Sequence, residues 1–206
     1  SRVPEVPSLC TNSRGIYPTI YSILREQRPQ AETGCIAEWD GIKFLVDSAA
    51  ISYVDVAGNY EKDSTQLCRM AEKYIKEKKP VFFAVCFDQI DHVGHAIGHD
   101  TPAYYDVVAS IDIQVGRIIQ AAKDAGIYDD TVFIITADHG GIERRHGGHS
   151  LLEMEIPYIL FGKGIKRGME ITDTVIQYDT AATIAEILGL KRPQCWRGLP
   201  TYCVFK

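Results

Sequence analysis

The sequence predicts an α/β fold: a mostly parallel central sheet flanked by helices. Three observations carry this. Apolar runs at Val81–Phe87, Thr131–Thr136 and Ile156–Phe161 are continuous rather than alternating. That is the pattern of strands buried on both faces in parallel sheets. Before, between and after them lie segments with apolar residues at helical spacing, over 63–79, 101–125 and 179–188. Alternating strands and helices of this length imply parallel pairing through right-handed crossovers. With 206 residues, 46% of them hydrophobic, the chain can bury a sizeable core. It shows no repeat and no linker, so residues 1–206 read as one α/β domain.

Residues 1–16 are polar, punctuated by Pro and Gly, and without a period. Pro18 to Arg28 predicts a short helix, with Pro18 in the first turn and Ile20, Ile23 and Leu24 on one face. Gly34–Trp39 reads as a strand after a turn, and 40–59 is ambiguous. Asp63 or Ser64 can cap the next helix, whose Leu67, Met70, Ala71, Tyr74 and Ile75 recur at helical spacing until Pro80. Thr101-Pro102 is a cap followed by proline at the first helical position. From there Tyr104, Val108, Ile111, Val115, Ile118 and Ala122 predict an inward face, and Gly126 a stop. Thr174–Ile176 reads as a short further strand. Asp179–Leu188 is a helix ended by Gly189, and the tail from Lys191 is a loop with Trp196 and Phe205 packing back.

Composition excludes several roles. The net charge is −5 and no basic stripe occurs, which argues against nucleic-acid binding. The basic run Lys76–Lys79 sits where a helix C-terminus favours cations. No apolar run reaches the roughly 18–20 residues of a membrane-spanning helix. None of the six cysteines forms a CxxC pair, so a zinc ribbon is not indicated. Cys68 and Cys86 read as buried thiols. Cys195 and Cys203 are spaced to close a short loop, although spacing alone favours free thiols.

All six histidines lie between Asp88 and His149. Asp91-His92-Val93-Gly94-His95 follows one predicted strand. Thr136-Ala137-Asp138-His139-Gly140-Gly141 follows another, with His146-Gly147-Gly148 shortly after. In open parallel sheets ligands bind beyond the carboxyl ends of strands. Asp91, His95, Asp138, His139 and His146 are thereby expected at one sheet edge. Imidazole and carboxylate donors suit zinc, and mixed sets suit manganese or iron. Five ligands exceed the three protein donors of a single catalytic zinc. Two divalent ions, which clamp both attacking and leaving oxygens of a phosphoryl group, fit better. Taken singly, each segment is as well explained by turn geometry; the two together point to metal. His92, His99 and His149 read as surface or supporting residues, with His149 the alternative to His146.

In these segments the chain resembles the alkaline phosphatase superfamily. It is most similar to its bacterial type I phosphodiesterase/nucleotide pyrophosphatase branch. The resemblance rests on FDQIDHVGHAIGHDTPAYYDVVASID (87–112), TADHGGIERRHGGHSLLEMEIPYILFGKGI (136–165) and YDTAATIAEILGL (178–190). It implies that Asp91, His95 and His146 hold one metal, and that Asp138 and His139 hold part of a second. It also implies a phosphate-ester substrate, an exported location, and a Ser or Thr nucleophile after a first strand that ends in Asp. Ser8, Thr11, Ser13 and Thr19 do not follow such a strand. The nucleophile and the missing carboxylate are therefore expected upstream of residue 1, the chain being an N-terminally truncated core without catalytic nucleophile. A sulfatase of the same superfamily and a non-catalytic metal-binding homologue are the alternatives. A sheet lacking its first strand is expected to self-associate.

Overall fold

A computed structural model describes residues 11–12, 15–56 and 64–206. Asp63, Ser8, Cys10 and Ser13 lie outside them. After a minimal hairpin of β1 (Thr11–Asn12) and β2 (Gly15–Ile16) comes α1 (Ile20–Gln27). The cap is Thr19 rather than anything at Pro18: its hydroxyl accepts from the Ser22 amide, and Ser22 reciprocates. β3 (Thr33–Ala37) follows. The ambiguous 40–59 region resolves into a 3-10 turn, Asp40–Phe44, and β4 (Tyr53–Asp55). Next come α2 (Ser64–Lys78) and β5 (Phe82–Cys86).

Beyond β5 lies α3 (Gln89–Ala96), a helix absent from the sequence expectation. It is followed by α4 (Pro102–Asp124), capped by Thr101 as predicted, and β6 (Val132–Thr136). The short α5 (Leu151–Met154) precedes β7 (Tyr158–Gly162), and α6 (Asp179–Ile187) closes the order. Gly126 and Gly189 end their helices at φ +70° and +61°, as single residues in the left-handed region do.

β4, β3 and β5 form a parallel sheet in that order, with Thr33 opposite Phe82 and Ala37 opposite Cys86. Among the described residues β6 pairs with β7 alone, and the pairing is antiparallel. The connection between them, residues 137–157, carries only the four-residue α5 and no crossover helix of the kind that usually joins parallel strands. Among the described residues, β5 and β6 each leave one edge unpaired. Thr174–Ile176 forms no strand, in contrast to the expectation from its apolar residues.

Successive residues of β5 point to opposite faces. Phe82 and Ala84 pack with Tyr21, Cys35 and Val46 on the α1 side. Phe83 and Val85 pack with Ile36, Leu67 and Ala71 under α2, next to Ile118 of α4. The continuous apolar run is thus explained by helices on both sides. Ile118 also packs with Ile75, Ala121, Ala122 and Phe133, so one helical layer of α2 and α4 covers both β5 and β6. On α4 the inward face is rotated from the predicted one: Ile111, Gln114, Ala121 and Ala122 are buried, and Val108 is exposed. Gln114 is anchored by Arg117, whose guanidinium also pairs with Glu72 of α2 at 2.8 Å. In the tail, the Trp196 indole donates to the Pro18 carbonyl, and Phe205 bridges to Ile165. Cys195 and Cys203 are free thiols.

Gly34 of β3 lies under the Tyr74 ring, where a Cβ would come within 2.5 Å of Cε1. Tyr74 is fixed by bonds from its hydroxyl to Glu32 and to the Thr33 carbonyl. Gly34→Ala is therefore expected to destabilise the chain by about 1–3 kcal/mol through overpacking. Urea unfolding midpoints measure this.

Candidate metal centre

The site stands where the carboxyl ends of β5 and β6 meet. α3 starts three residues after β5, so Asp91 falls in its first turn and His95 one turn later, on the same face. His95 Nε2 lies 3.3 Å from Asp91 Oδ2, and His146 Nε2 lies 3.6 Å from Asp91 Oδ1. One donor atom from each of the three residues falls within 4.8 Å of the others. Tetrahedral zinc with bonds near 2.1 Å separates its ligands by about 3.4 Å, so these spacings are close to those of a coordinated ion.

Two further features fit a cation. Asp91 Oδ1 is buried and has no hydrogen-bond donor among the described residues; an unsatisfied buried carboxylate oxygen is costly unless a positive charge meets it. His95 Nδ1 lies 2.9 Å from the Arg144 carbonyl. A carbonyl only accepts, so the proton sits on Nδ1 and the Nε2 lone pair faces Asp91. His146 is pressed below the usual histidine range by burial first, then by the neighbouring His139. A neutral imidazole is the form that binds metal.

Asp138 and His139 follow β6, with His139 Nε2 3.5 Å from Asp138 Oδ2. His139 Nδ1 is oriented by the Gly140 carbonyl at 2.8 Å. The His139 and His146 rings stack with centroids 3.7 Å apart and planes at 18°. The pair is therefore in contact with the triad. Asp138 is itself 81% exposed, and its charge is among the groups that, after burial, push the Cys86 thiol up to about 12. All five expected ligands converge on one edge: Asp91, His95 and His146 as a cluster, Asp138 and His139 as an open pair beside it. His92 and His149 are exposed.

Sequence reasoning missed three supports. His99, read as peripheral, is wedged between Gly94 of α3 and Gly141 of the loop after β6, and neither glycine has room for a Cβ. Its ring Nδ1 and its backbone amide both bond the Glu143 carbonyl, at 3.0 and 2.6 Å. Glu153 of α5 accepts from the Gly148 amide at 2.8 Å and the Ser150 hydroxyl at 2.6 Å. The Gly140 amide bonds the Glu153 carbonyl at 2.9 Å. The loop carrying His139 and His146 is thus tied at both ends. Two glycines crowding one imidazole gave no signal in one dimension. The Ser150–Glu153 spacing of a capping box was legible. The third support is Glu38, 0% exposed at the end of β3. Its carboxylate accepts from the Asp88 and Gln89 amides at 2.5 and 3.1 Å.

Hydrogen bonds from Ser150 and then the Gly148 amide hold the Glu153 carboxyl below its usual range. A depressed carboxylate contributes stability above its unfolded value, near pH 4.3, and loses it as pH falls through the lower folded value. Glu153→Gln should therefore lower the thermal midpoint at pH 7, and the gap to wild type should close below about pH 4. Melting curves at both pH values check this.

The model of the type I phosphodiesterase / nucleotide pyrophosphatase family matches residues 30–155. Arylsulfatase K of Bos taurus is 25% identical over 146 residues, 68% of this chain and 23% of that protein. The chain thus spans about a quarter of the length of this curated relative. Leishmania mexicana phosphoglycerate mutase, in crystal structures at low cobalt concentration, superposes with a TM-score of 0.61 at 16% identity, over 87% of this chain and 38% of the mutase. Ps i-CgsB in complex with k-i-k-neocarrahexaose gives a TM-score of 0.66 at 19% identity, over 96% and 60%.

Proposed function

The chain belongs to the type I phosphodiesterase / nucleotide pyrophosphatase family, within the alkaline phosphatase superfamily of hydrolases, and from that premise we propose that it forms the metal-binding core of a phosphoric-ester hydrolase. The observation that carries this reading is the Asp91–His95–His146 cluster with its buried, unpaired carboxylate oxygen. These three residues would hold one divalent ion, and Asp138 with His139 part of a second. Imidazole and carboxylate donors make zinc the best match, with manganese or iron as the other candidates. Such ions, when bound, stabilise the charge that develops on the oxygens of an in-line displacement.

The residues of this chain orient and hold. Arg144 sets the His95 tautomer through its carbonyl, and the stacked His139 and His146 keep both donor sets in contact. Exposed Arg144 and Arg145 add positive charge beside the triad, which suits a small anionic ester. We place the covalent nucleophile, a Ser or Thr, and the remaining carboxylate outside residues 1–206. The edges of β5 and β6 left unpaired among the described residues support self-association, which light scattering at rising concentration would register as growth in mass. Exported location follows from the resemblance alone. A sulfate ester is the second reading, favoured by the match to arylsulfatase K.

The test is metal content after zinc loading and removal of excess. About one tightly held zinc per chain is expected, lost in His95→Ala and in His146→Ala. Retention of zinc by both variants would sink the ligand assignment. The isolated chain should turn over aryl phosphate and aryl sulfate only marginally, because the covalent step has no acceptor. Brisk turnover of either ester would overturn that, and the ester preferred would choose between the two readings.

A further inference from the structure

We propose that Glu38 is the positioning residue of the Asp91–His95–His146 centre, acting from a different strand through the N-terminus of α3. The proposal rests on the metal reading of that centre. α3 opens without help from its own cap: Asp88 makes no side-chain capping bond. Its first amides would otherwise be orphaned. Glu38 supplies an acceptor from across the sheet for two amides that a cap side chain does not serve, one carboxylate oxygen taking the Asp88 and Gln89 amides together. A negative charge on these amides also complements the helix dipole.

The placement of Glu38 is rigid. It is fully buried, and its own amide donates to the Cys86 carbonyl at 3.0 Å. β3 and β5 are in register up to Ala37 opposite Cys86. The end of one strand therefore fixes where the helix after its neighbour begins. Asp91 lies two residues past Gln89, in the same turn, and His95 one turn on. A shift or rotation of that first turn moves Asp91 away from His146, which is held by a separate loop. A cap side chain accepts from the second or third helical amide; a buried carboxylate from another strand that takes the cap residue's own amide and the first helical amide is what separates this device from an ordinary cap.

The experiment measures zinc affinity by competition with a chromophoric chelator, and the visible absorption of the cobalt-loaded chain. It uses wild type, Glu38→Ala, Glu38→Gln, and Leu24→Ala as a control. Leu24 is fully buried in the α1/α6 cluster with Ala185 and Leu190, apart from the site. Glu38→Ala is expected to weaken the first zinc by about 10–100-fold, as loss of an orienting partner does, and to shift the cobalt bands. Glu38→Gln, whose amide oxygen still accepts, should lose less. Leu24→Ala should lower the thermal midpoint with zinc affinity unchanged. Wild-type zinc affinity in Glu38→Ala, or an equal loss in Leu24→Ala, overturns the proposal while leaving the metal site standing. Should Glu38→Ala not fold, Glu38→Gln decides: a several-fold loss supports the proposal and unchanged affinity overturns it. A wild-type chain that binds no zinc overturns the metal reading, and the role of Glu38 with it.

Discussion

One carboxylate oxygen organises the functional edge of this molecule. Asp91 Oδ1 is enclosed and has no proton donor among the described residues, yet it faces an imidazole at 3.6 Å. Left alone, such an oxygen costs more than a hydrogen bond gains. The carboxylate's two imidazole neighbours come from different directions, His95 at Oδ2 from the next turn of the same helix and His146 at Oδ1 from a loop of the other strand pair. The loop has to approach the helix closely to bring His146 in, and that closeness accounts for the small residues on both sides. Gly94 and Gly141 are where they are because the His99 ring fills the space their side chains would take. The polar architecture and the glycine pattern are two sides of one packing problem.

The two halves of the site differ in how firmly they are held. Helical hydrogen bonds fix Asp91 and His95 to each other. His139 and His146 belong to a segment with almost no regular structure, held by side chains and carbonyls: Glu143 to His99, Arg144 to His95, Glu153 to Gly148. Loops that carry function on a rigid scaffold commonly need such anchoring. Here each anchor sits within a few residues of a candidate ligand.

Much of this was legible in one dimension. The continuous apolar runs gave β5 and β6, and for β5 the reason is packing on both faces. Thr101-Pro102 and Gly126 bounded α4 to within a residue, since caps and stops act locally. That the five candidate ligands share one edge was expected from their position after strands, and the structure brings Asp91, His95 and His146 together there with His139 stacked on His146. What escaped depended on distance in sequence. α3 is only two turns long, and its Asp91/His95 spacing of four was seen as a motif but not as a helix. The antiparallel pairing of β7 goes with a connection that carries no crossover helix, which apolar content does not reveal. Val108 was assigned inward and is exposed, while Gln114, not among the residues assigned inward, is buried with its amide oxygen accepting from Arg117. Glu38 and His99 become meaningful only once β3 meets β5 and the loop meets α3.

The half-paired state of β5 has a consequence for how the chain breathes. In a parallel ladder, alternate amides of a strand point to opposite neighbours. Along Phe82–Cys86, one set is tied to β3, while the other points to the side where no described strand lies. A single five-residue strand therefore carries two populations of amide protons, one slow to exchange with solvent and one fast. Deuterium uptake would alternate residue by residue through the strand that leads into the candidate metal centre.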